Sequence, residues 1–390
     1  MTTALDAEID AAVTARARLR GRSIRETATV LADAARRWQD DPELLAHLPQ
    51  AADLTPEMVR VVLPLVATAL DADALVELHA REAHAGTPPV MVAALMASNV
   101  PALAVPAIVH ACLAGAAVVV KSGRGDTISA PAFRRALASV DPTLAAAVVT
   151  TYWPGGSTEV EDAISPRADV VMATGADATV AAIAGRLGGK VLAYGDRSSI
   201  AVVSTDASDT ELAGLAWDVA RYEQRGCLSP HDVFVLGNPR PVAERLLDAL
   251  AAVERDAPMP SISTAARAAR RVAIEEAGFA GASVLASRSG TVVVDPRPAV
   301  GTPIGRRTVR LHALDHAAAL GTAFPRGAVE CVGVGRDVTL DVDAMRARGV
   351  SRICPVGRMQ RPPIDWPRGQ RPALASLFRV FGEPRIQVES

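Results

Sequence analysis

The sequence predicts an α/β fold with parallel sheets, divided into two domains, and three observations support this. Short runs rich in Val and Ala alternate with helical segments, a pattern typical of open α/β sheets with right-handed crossovers. Aromatic residues make up only 3% of the sequence, so the core is built mainly from small side chains that favour closely packed helix-on-sheet layers. The chain of 390 residues is also longer than one domain usually is.

The first 80 residues are predicted to be mainly helical, and a long uncharged stretch follows at residues 83–120. Its length is sufficient for a membrane span, but four prolines interrupt it. We interpret it as strand 90–97, helix 102–114 and strand 116–120. Nearly continuous apolar strands of this kind are expected where a parallel sheet is covered on both faces. No membrane span is therefore predicted.

The rest of the chain continues the alternation of helices and strands. Helices are predicted at 130–139, 177–187, 208–225, 241–254 and 263–277, and strands at 144–151, 169–172, 190–194, 199–203, 232–236, 283–286 and 291–295. We place the first domain at residues 1–203 and the second at 204–350. The segment 351–390, rich in Pro and Arg, is expected to pack back on the core or on a partner subunit.

Charge and cysteine content exclude several classes of function. The formal net charge is −2, so no basic excess indicates a nucleic-acid partner. No C-x-x-C pair is present among the four cysteines, which argues against a zinc ribbon or a thioredoxin-type site. His312 and His316 are four residues apart but have no evident third ligand, so no metal site is predicted. Acidic residues near the start do not fit a secretory signal, and we expect a cytoplasmic protein with free thiols.

Cys227 lies in segment 224–230, at the predicted junction of a helix and a loop. Gly226 precedes it, and two arginines lie nearby in the sequence. Positive neighbours and oriented backbone N–H groups lower the pKa of a thiol, and the thiolate is the nucleophile. These features favour a reactive cysteine. The alternative is a buried structural cysteine, and the local sequence leaves both open.

Several segments of the chain resemble a known family. The string RGCLSPHDVFV, residues 225–235, resembles the active-site segment of the fatty acyl-CoA reductases of bacterial luminescence, the LuxC-like branch of the aldehyde dehydrogenase superfamily. Five further segments resemble that family in the same order: ASNVP at 97–101, GAAVVVKSGRGD at 115–126, ATGADATVAAI at 173–183, YGDRSSIAVV at 194–203 and CPVGRMQRPPIDWPRGQRP at 354–372. The similarity covers roughly residues 85–380.

The resemblance implies a cofactor-binding domain at 1–203, a catalytic domain at 204–350 and an active site between them. Cys227 matches the superfamily nucleophile, which attacks an aldehyde or thioester carbonyl. Asn99 matches the asparagine whose side chain stabilises the resulting oxyanion, and the backbone N–H of Cys227 would be the second donor. For Asn99 the alternative is a turn residue before Pro101.

The cofactor residues come partly from position and partly from the resemblance. Lys121 ends a buried strand, at the edge where α/β folds bind cofactors, and matches a superfamily lysine that binds the adenosine ribose or its phosphate. Ser122, the next residue, is also predicted to bind the cofactor. Arg124 is suited to a 2′-phosphate, which favours NADPH over NADH; the alternative is a solvated loop arginine. Thr174 and Gly175 open a strand-to-helix turn suited to a pyrophosphate. The G-x-G-x-x-G fingerprint is absent, as in the superfamily.

Position 193 departs from the hydrolytic members of the superfamily. These enzymes carry there a glutamate that activates water, whereas this chain has Ala193, 34 residues before Cys227. Alanine cannot act as a general base, so a thioester intermediate would persist. Glu223 is a candidate substitute base, but as a helix-surface acid we expect it to be solvated. His231 is a candidate partner of Cys227, although Pro230 prevents a simple helical pairing.

These inferences predict an NADPH-dependent acyl-CoA reductase that forms an aldehyde through an acyl-cysteine intermediate. The resemblance implies acyl-CoA or a carrier-bound acyl group as substrate, with an acyl-protein synthetase as a further partner, and a homo-oligomer. The alternatives are an aldehyde dehydrogenase, either CoA-acylating or oxidising, and a catalytically silent scaffold of the same fold.

Overall fold

The computed structural model describes residues 2–19, 21–83 and 86–389. Residues 84 and 85, which belong to the uncharged stretch, lie outside the described residues. Contacts divide the chain into two compact units. The first comprises Met1–Asp196, Pro363–Trp366 and Arg371–Glu383, and the second comprises Arg197–Pro362, Pro367–Gln370 and Pro384–Ser390.

Helices occupy the beginning of the first unit. They are α1 (Thr2–Arg18), α2 (Ile24–Gln39), α3 (Pro42–Ala51), α4 (Pro56–Thr68) and α5 (Ala72–Glu82). Helix α2 begins with a capping box, in which Ser23 and Glu26 each accept a hydrogen bond from the other's backbone N–H. Helices α3 and α4 begin with proline after an Asp41 or Thr55 cap. Proline is favoured at this position because the first N–H groups of a helix lack intrahelical partners.

The first unit contains a parallel sheet of five strands in the order β3-β2-β1-β4-β5. The strands are β1 (Met91–Leu95), β2 (Ala117–Lys121), β3 (Val148–Thr151), β4 (Val170–Thr174) and β5 (Val191–Tyr194), and the helices are α6 (Ala104–Leu113), α7 (Ser129–Val140), α8 (Pro142–Ala145), α9 (Thr158–Ile164) and α10 (Asp177–Leu187). The parallel β-α-β unit predicted from the uncharged stretch is confirmed as β1, α6 and β2. The strand predicted at 144–151 is shorter, because Asp141 caps α8 and residues up to Ala145 are helical.

The second unit contains a sheet of eight strands in the order β13-β12-β11-β6-β7-β10-β9-β8. The strands are β6 (Ser198–Ser204), β7 (Pro230–Leu236), β8 (Ser283–Ala286), β9 (Thr291–Val294), β10 (Thr308–Leu314), β11 (Val329–Val334), β12 (Arg352–Pro355) and β13 (Gln387–Val388), and the helices are α11 (Asp209–Ala220), α12 (Pro239–Asp256), α13 (Thr264–Phe279) and α14 (Val342–Ala347). All pairings are parallel except that of β8 with β9. The α/β class with parallel sheets is confirmed.

Two features of the second unit differ from the sequence-based expectations. Strand β6, placed in the first domain, pairs with β7 and β11 in the eight-stranded sheet, and the compact units divide after Asp196. The helix predicted at 208–225 ends at Ala220, because residues 222–224 have a left-handed backbone that cannot continue an α-helix. This early end separates Cys227 from α11.

The described helices include none that is both long enough and apolar enough to cross a membrane.

Candidate active site

Cys227 lies in the connection between α11 and β7. It is partly exposed, whereas the other three cysteines are buried: Cys112, Cys331 and Cys354. A cysteine must lie near the protein surface for a substrate to reach it, so the partial exposure of the residue separates Cys227 from the rest. It is therefore the cysteine best placed for chemistry.

The backbone just before Cys227 has an unusual conformation. Tyr222, Glu223 and Gln224 have φ angles of +56°, +53° and +58°. Residues with a Cβ seldom adopt this region, and each such residue is energetically unfavourable. Three in succession persist only when surrounding contacts hold them, and backbone strain of this kind is typical of functional sites.

Hydrogen bonds from other parts of the second unit anchor the loop around Cys227. The hydroxyl of Ser199 on β6 donates to the backbone carbonyl of Cys227 at 2.6 Å and accepts from the N–H of Cys331 at 3.2 Å. Two residues beyond Cys227, the hydroxyl of Ser229 accepts from the side-chain amide of Gln360 at 2.8 Å. The main chain on both sides of the thiol is thus fixed.

The electrostatic surroundings of Cys227 differ from the sequence-based expectation. Burial of its sulfur raises the pKa of Cys227, and Glu330 acts in the same direction; Arg368, Arg197 and the residue's own N–H act in the opposite direction. The two arginines close in sequence are engaged elsewhere: Arg221 pairs with Asp218, and Arg225 donates to the Tyr222 carbonyl. The expected lowering of the pKa is therefore wrong for the protein without ligands, because desolvation outweighs the positive charges.

Glu330, on β11, is buried and held by several partners. One carboxylate oxygen lies 3.2 Å from Nε of Arg197, and the other accepts from the N–H of Gly369 at 2.7 Å and from the hydroxyl of Ser351. Neither this residue nor Arg368 was predicted from the sequence. The available signal was a single acid in the otherwise apolar run VECVGV, since an unpaired charge is rarely buried in a strand.

The predicted cofactor residues gather at the carboxyl edge of the five-stranded sheet. Lys121 is the last residue of β2 and pairs in register with Leu95 on β1, which also pairs with Ala173 on β4. Thr174 ends β4, and Gly175 follows it. The strand order reverses between β1 and β4, the position where open α/β sheets bind ligands.

The details of this edge fit a nucleotide in part. Lys121 is half-buried, burial lowers its pKa, and its Nζ lies 5.9 Å from the centre of the Tyr152 ring. Ser122 is buried and Arg124 is exposed. The buried Oγ1 of Thr174 has no hydrogen-bond partner among the described residues, and a Cβ added at Gly175 would meet nothing within 4 Å.

Two acids lie at the N-terminus of α10, which follows Gly175: Asp177, its first residue, and Asp196, which follows β5. Asp177 accepts a hydrogen bond from the N–H of Asp196 at 2.9 Å and donates its own N–H to the Asp196 carboxylate at 3.3 Å. The N-cap residue, Ala176, provides no side-chain cap. The N–H groups favour an anion here, while the two carboxylates oppose it, so a bound pyrophosphate needs cations from elsewhere.

Asn99 lies four residues after the end of β1 and is exposed. Its loop packs against the segment after β2: a Cβ added at Gly123 would lie 2.5 Å from Cβ and 2.7 Å from N of Ser98, so only glycine permits this approach. The carboxylate of Asp126 accepts from the N–H of Ala102 at 2.7 Å, and Ala102 has φ +63°. Asp126 also accepts from the N–H groups of Ser129 and Ile128 at the start of α7.

The role of Asp126 in holding the Asn99 loop was not predicted from the sequence. The available signal was an acid shortly before a predicted helix, since an Asp side chain often accepts hydrogen bonds from backbone N–H groups two or three residues ahead. Its contact with Ala102 has no signal in the sequence.

Ala193, the position predicted from the sequence to match the glutamate of hydrolytic aldehyde dehydrogenases, lies near the end of β5. Its carbonyl accepts a hydrogen bond from Nη1 of Arg371 at 2.8 Å, and the same guanidinium lies 5.6 Å from the centre of the Tyr194 ring. The methyl side chain has no acid–base function.

The remaining candidates have other surroundings than expected. Glu223 is fully buried and paired with Arg307, so the expectation of a solvated helix-surface acid is wrong. Burial lowers the pKa of His231 to about 4, so this imidazole is neutral at pH 7. His312 lies on β10, and its Nε2 is 2.9 Å from the carboxylate of Asp232.

The chain is similar to known proteins both in sequence and in fold. The sequence model of the family described as acyl-CoA reductase (LuxC) matches residues 21–379. The long-chain acyl-protein thioester reductase of Aliivibrio fischeri is 28% identical over 231 residues, which are 56% of this chain and 47% of that protein. The corresponding protein of Photorhabdus laumondii subsp. laumondii is 27% identical over 150 residues, which are 37% of this chain and 31% of that protein. The aligned regions thus span about half or less of the length of these relatives.

Solved structures with the same fold are aldehyde dehydrogenases. Aldehyde dehydrogenase 21 from Physcomitrella patens, in complex with the reaction product succinate, has a TM-score of 0.74 and 16% identity, covering 97% of this chain and 89% of that one. A mutant of the indole-3-acetaldehyde dehydrogenase AldA of P. syringae, in complex with NAD+ and IAA, has a TM-score of 0.70 and 17% identity, covering 90% and 80%. The fold is that of aldehyde dehydrogenases, and the extent of the family match shows that the chain belongs to the acyl-CoA reductase (LuxC) family.

Proposed function

We propose that this protein reduces an activated acyl thioester to an aldehyde, with NADPH as the reductant and the acyl group held on Cys227 as the intermediate. The observation that carries the proposal is that Cys227, the one cysteine residue that is partly exposed, lies in a strained and anchored loop. Family membership and the alanine at position 193 support the same reaction and its direction.

The first step transfers the acyl group. The thiol of Cys227 gives up its proton to water, and the resulting thiolate attacks the carbonyl carbon of the thioester and forms a carbon–sulfur bond. The side-chain amide of Asn99 and the backbone N–H of Cys227 donate hydrogen bonds to the oxyanion. Its collapse expels the carrier thiolate, which takes up a proton, and leaves an acyl-Cys227 thioester.

A nicotinamide cofactor is proposed at the carboxyl edge of the five-stranded sheet. The unpartnered Oγ1 of Thr174 and the open space at Gly175 fit a dinucleotide, and Lys121, with Ser122, is suited to its adenosine ribose. Arg124 is exposed and suited to a 2′-phosphate, which favours NADPH, with NADH as the alternative. When bound, this cofactor supplies the hydride that reduces the acyl carbon.

Ala193 supports reduction over oxidation to an acid. Without a carboxylate at this position, no side chain there removes a proton from water, so the acyl-Cys227 thioester is hydrolysed slowly. The thiohemiacetal formed on Cys227 by reduction then collapses to release the aldehyde and the free thiolate. The reverse reaction, CoA-dependent acylation from an aldehyde, uses the same residues.

The donor is proposed to be acyl-CoA or a carrier-bound acyl group, with an acyl-protein synthetase as a partner that delivers it. The family relatives named as acyl-protein thioester reductases support a macromolecular donor. We propose a homo-oligomer as the assembled form.

The experiment measures NADPH consumption with a series of acyl-CoAs and identifies the trapped aldehyde. Cys227→Ala should abolish turnover, and Asn99→Ala should reduce kcat about a hundredfold, since an oxyanion donor contributes this much. The matched control is Cys112→Ala, which removes a buried thiol on α6 and should leave turnover largely intact.

Each outcome separates the proposal from its alternatives. Acid formed from aldehyde and NADP⁺ without CoA would indicate an oxidising dehydrogenase. Acylation of Cys227 without turnover would indicate that the donor is accepted but that the cofactor or a partner is missing. Neither acylation nor turnover with any donor would favour a silent scaffold.

A further inference from the structure

A buried ion pair lies next to the strained turn before Cys227. The Arg307 guanidinium donates to one carboxylate oxygen of Glu223 from Nη2 at 2.7 Å and from Nε at 3.2 Å. Both side chains have 0% exposure. The second carboxylate oxygen of Glu223 is buried without a hydrogen-bond partner among the described residues. Arg307 is therefore the ion-pair partner that compensates the burial of this acid.

We propose that Glu223, through its ion pair with Arg307, is a positioning residue that holds Cys227 in its reactive conformation. The inference rests on the proposed function in that it takes Cys227 as the nucleophile. Glu223 does not itself contact the substrate in this proposal.

The ion pair joins two segments that are both strained. Glu223 lies in the left-handed run 222–224, and Arg307, with Arg306, has φ of +54° and +53°. The carbonyl of Glu223 also accepts the N–H of Arg306 at 3.3 Å. Because isolated segments of this kind relax to ordinary conformations, each depends on contacts such as those it makes with the other.

Gln224 provides a second link between the same two segments. Its amide donates to the carbonyls of Pro230 at 3.0 Å and Thr308 at 3.1 Å, and its side-chain oxygen accepts the N–H of Thr308 at 2.7 Å. Thr308 is the residue after Arg307 and the first residue of β10. The turn is thus fixed to the start of a central strand of the sheet, and Cys227 follows it after two residues.

Loss of the Glu223 charge should have two consequences for Cys227. The turn loses its strongest contact and can relax, which moves the thiol away from the geometry that acyl transfer requires. A relaxed loop also exposes the sulfur, and since burial is the main cause of the raised pKa of Cys227, that pKa should fall toward the value of a free cysteine. Catalysis should therefore slow while simple alkylation becomes faster.

The chain offers a matched control in Glu254 on α12. Nη1 of Arg307 donates to this second carboxylate at 2.8 Å, but Glu254 lies outside the strained turn. Glu223→Gln and Glu254→Gln each remove one carboxylate charge from the same arginine. Only the first changes the turn.

The experiment compares the two variants with the wild-type protein. The rate of Cys227 alkylation by iodoacetamide is measured from pH 6 to 10, and peptide mass spectrometry identifies the alkylated cysteine. In a separate assay, kcat and KM are measured with the preferred acyl-CoA. For Glu223→Gln we expect kcat to fall about tenfold with little change in KM, and alkylation at pH 7 to rise several-fold. Glu254→Gln should leave both rates within about twofold of the wild type.

Several results would overturn the proposal. One is unchanged alkylation and kcat in a folded Glu223→Gln variant, and another is an equal effect of Glu254→Gln. Alkylation of the buried Cys112, Cys331 and Cys354 in parallel would indicate general unfolding and would also overturn it.

A second variant covers the case in which Glu223→Gln does not fold. The pair Glu223→Gln/Arg307→Met removes both charges, and it should still show fast alkylation of Cys227; a rate equal to wild type would overturn the proposal. Alkylation of Cys227 needs no substrate, so it tests the role of Glu223 even if the protein turns over no acyl thioester. A lack of turnover in the wild-type protein would count against the proposed function and not against this proposal.

Discussion

The loop that carries Asn99 follows a strand of the five-stranded sheet, whereas the turn that carries Cys227 precedes a strand of the eight-stranded sheet. The Asn99 loop is held by the segment that follows the neighbouring strand, through Gly123 and Asp126, about 24 residues away in sequence. The Cys227 turn is held through Arg307, 84 residues beyond Glu223, and through Gln360, 131 residues beyond Ser229.

This difference indicates how each region should respond to substitution. The contacts described for the Asn99 loop come from the connection after the neighbouring strand, so we expect a substitution there to act locally. The Cys227 turn depends on contacts that are distant in the sequence. Glu223 pairs with Arg307, just before β10, and the hydroxyl of Ser199, on β6, donates to the carbonyl of Cys227. Variants in one region should therefore leave the chemical reactivity of the other unchanged.

The largest effect is expected for Asp126→Ala. It removes the acceptor of the buried N–H of Ala102 and of two N–H groups at the start of α7, which should lower the free energy of unfolding by about 1–3 kcal/mol. The Asn99 loop should become mobile and kcat should fall about tenfold. Chemical denaturation measures the loss of stability, and steady-state kinetics measure kcat. The rate of Cys227 alkylation should equal that of the wild type, and a changed rate would show that the two regions do not respond independently.

A smaller effect is expected for Ser199→Ala. The Cys227 carbonyl loses its donor and the Cys331 N–H its acceptor, which should cost about 1–2 kcal/mol of stability.

The pH dependence of alkylation tests this variant directly. In the wild-type protein the raised pKa of Cys227 keeps the thiol protonated at neutral pH, so alkylation should increase with pH beyond the range of a free cysteine. In Ser199→Ala the midpoint should move to lower pH. Nucleotide binding, measured by calorimetry, should not change, and a weakened affinity would show that the Ser199 contact affects both regions.

The sequence predicts the first region better than the second for a physical reason. Lys121 and Thr174 could be placed because each ends an apolar run, and the ends of parallel strands share one edge of the sheet. The predicted helix 208–225 extended across the turn, since periodicity carries no information about left-handed residues. The burial of Glu223 depends on Arg307, far along the chain, and local sequence showed only an acid near a helix end. The local sequence singled out Cys227 but left a structural role open, and only the resemblance favoured the nucleophile.

The smallest expected effect concerns Arg124, which distinguishes NADPH from NADH in the proposal. Its guanidinium is exposed, so its pairing with a 2′-phosphate is screened by solvent and should contribute about 0.5–1 kcal/mol. Arg124→Ala should weaken NADPH binding about two- to fivefold and leave NADH binding unchanged, and the difference should shrink at high salt. The matched control is Arg134→Ala, an exposed arginine on α7. Equal losses for both nucleotides would place Arg124 outside the phosphate site and leave the choice of cofactor to Lys121 and its neighbours.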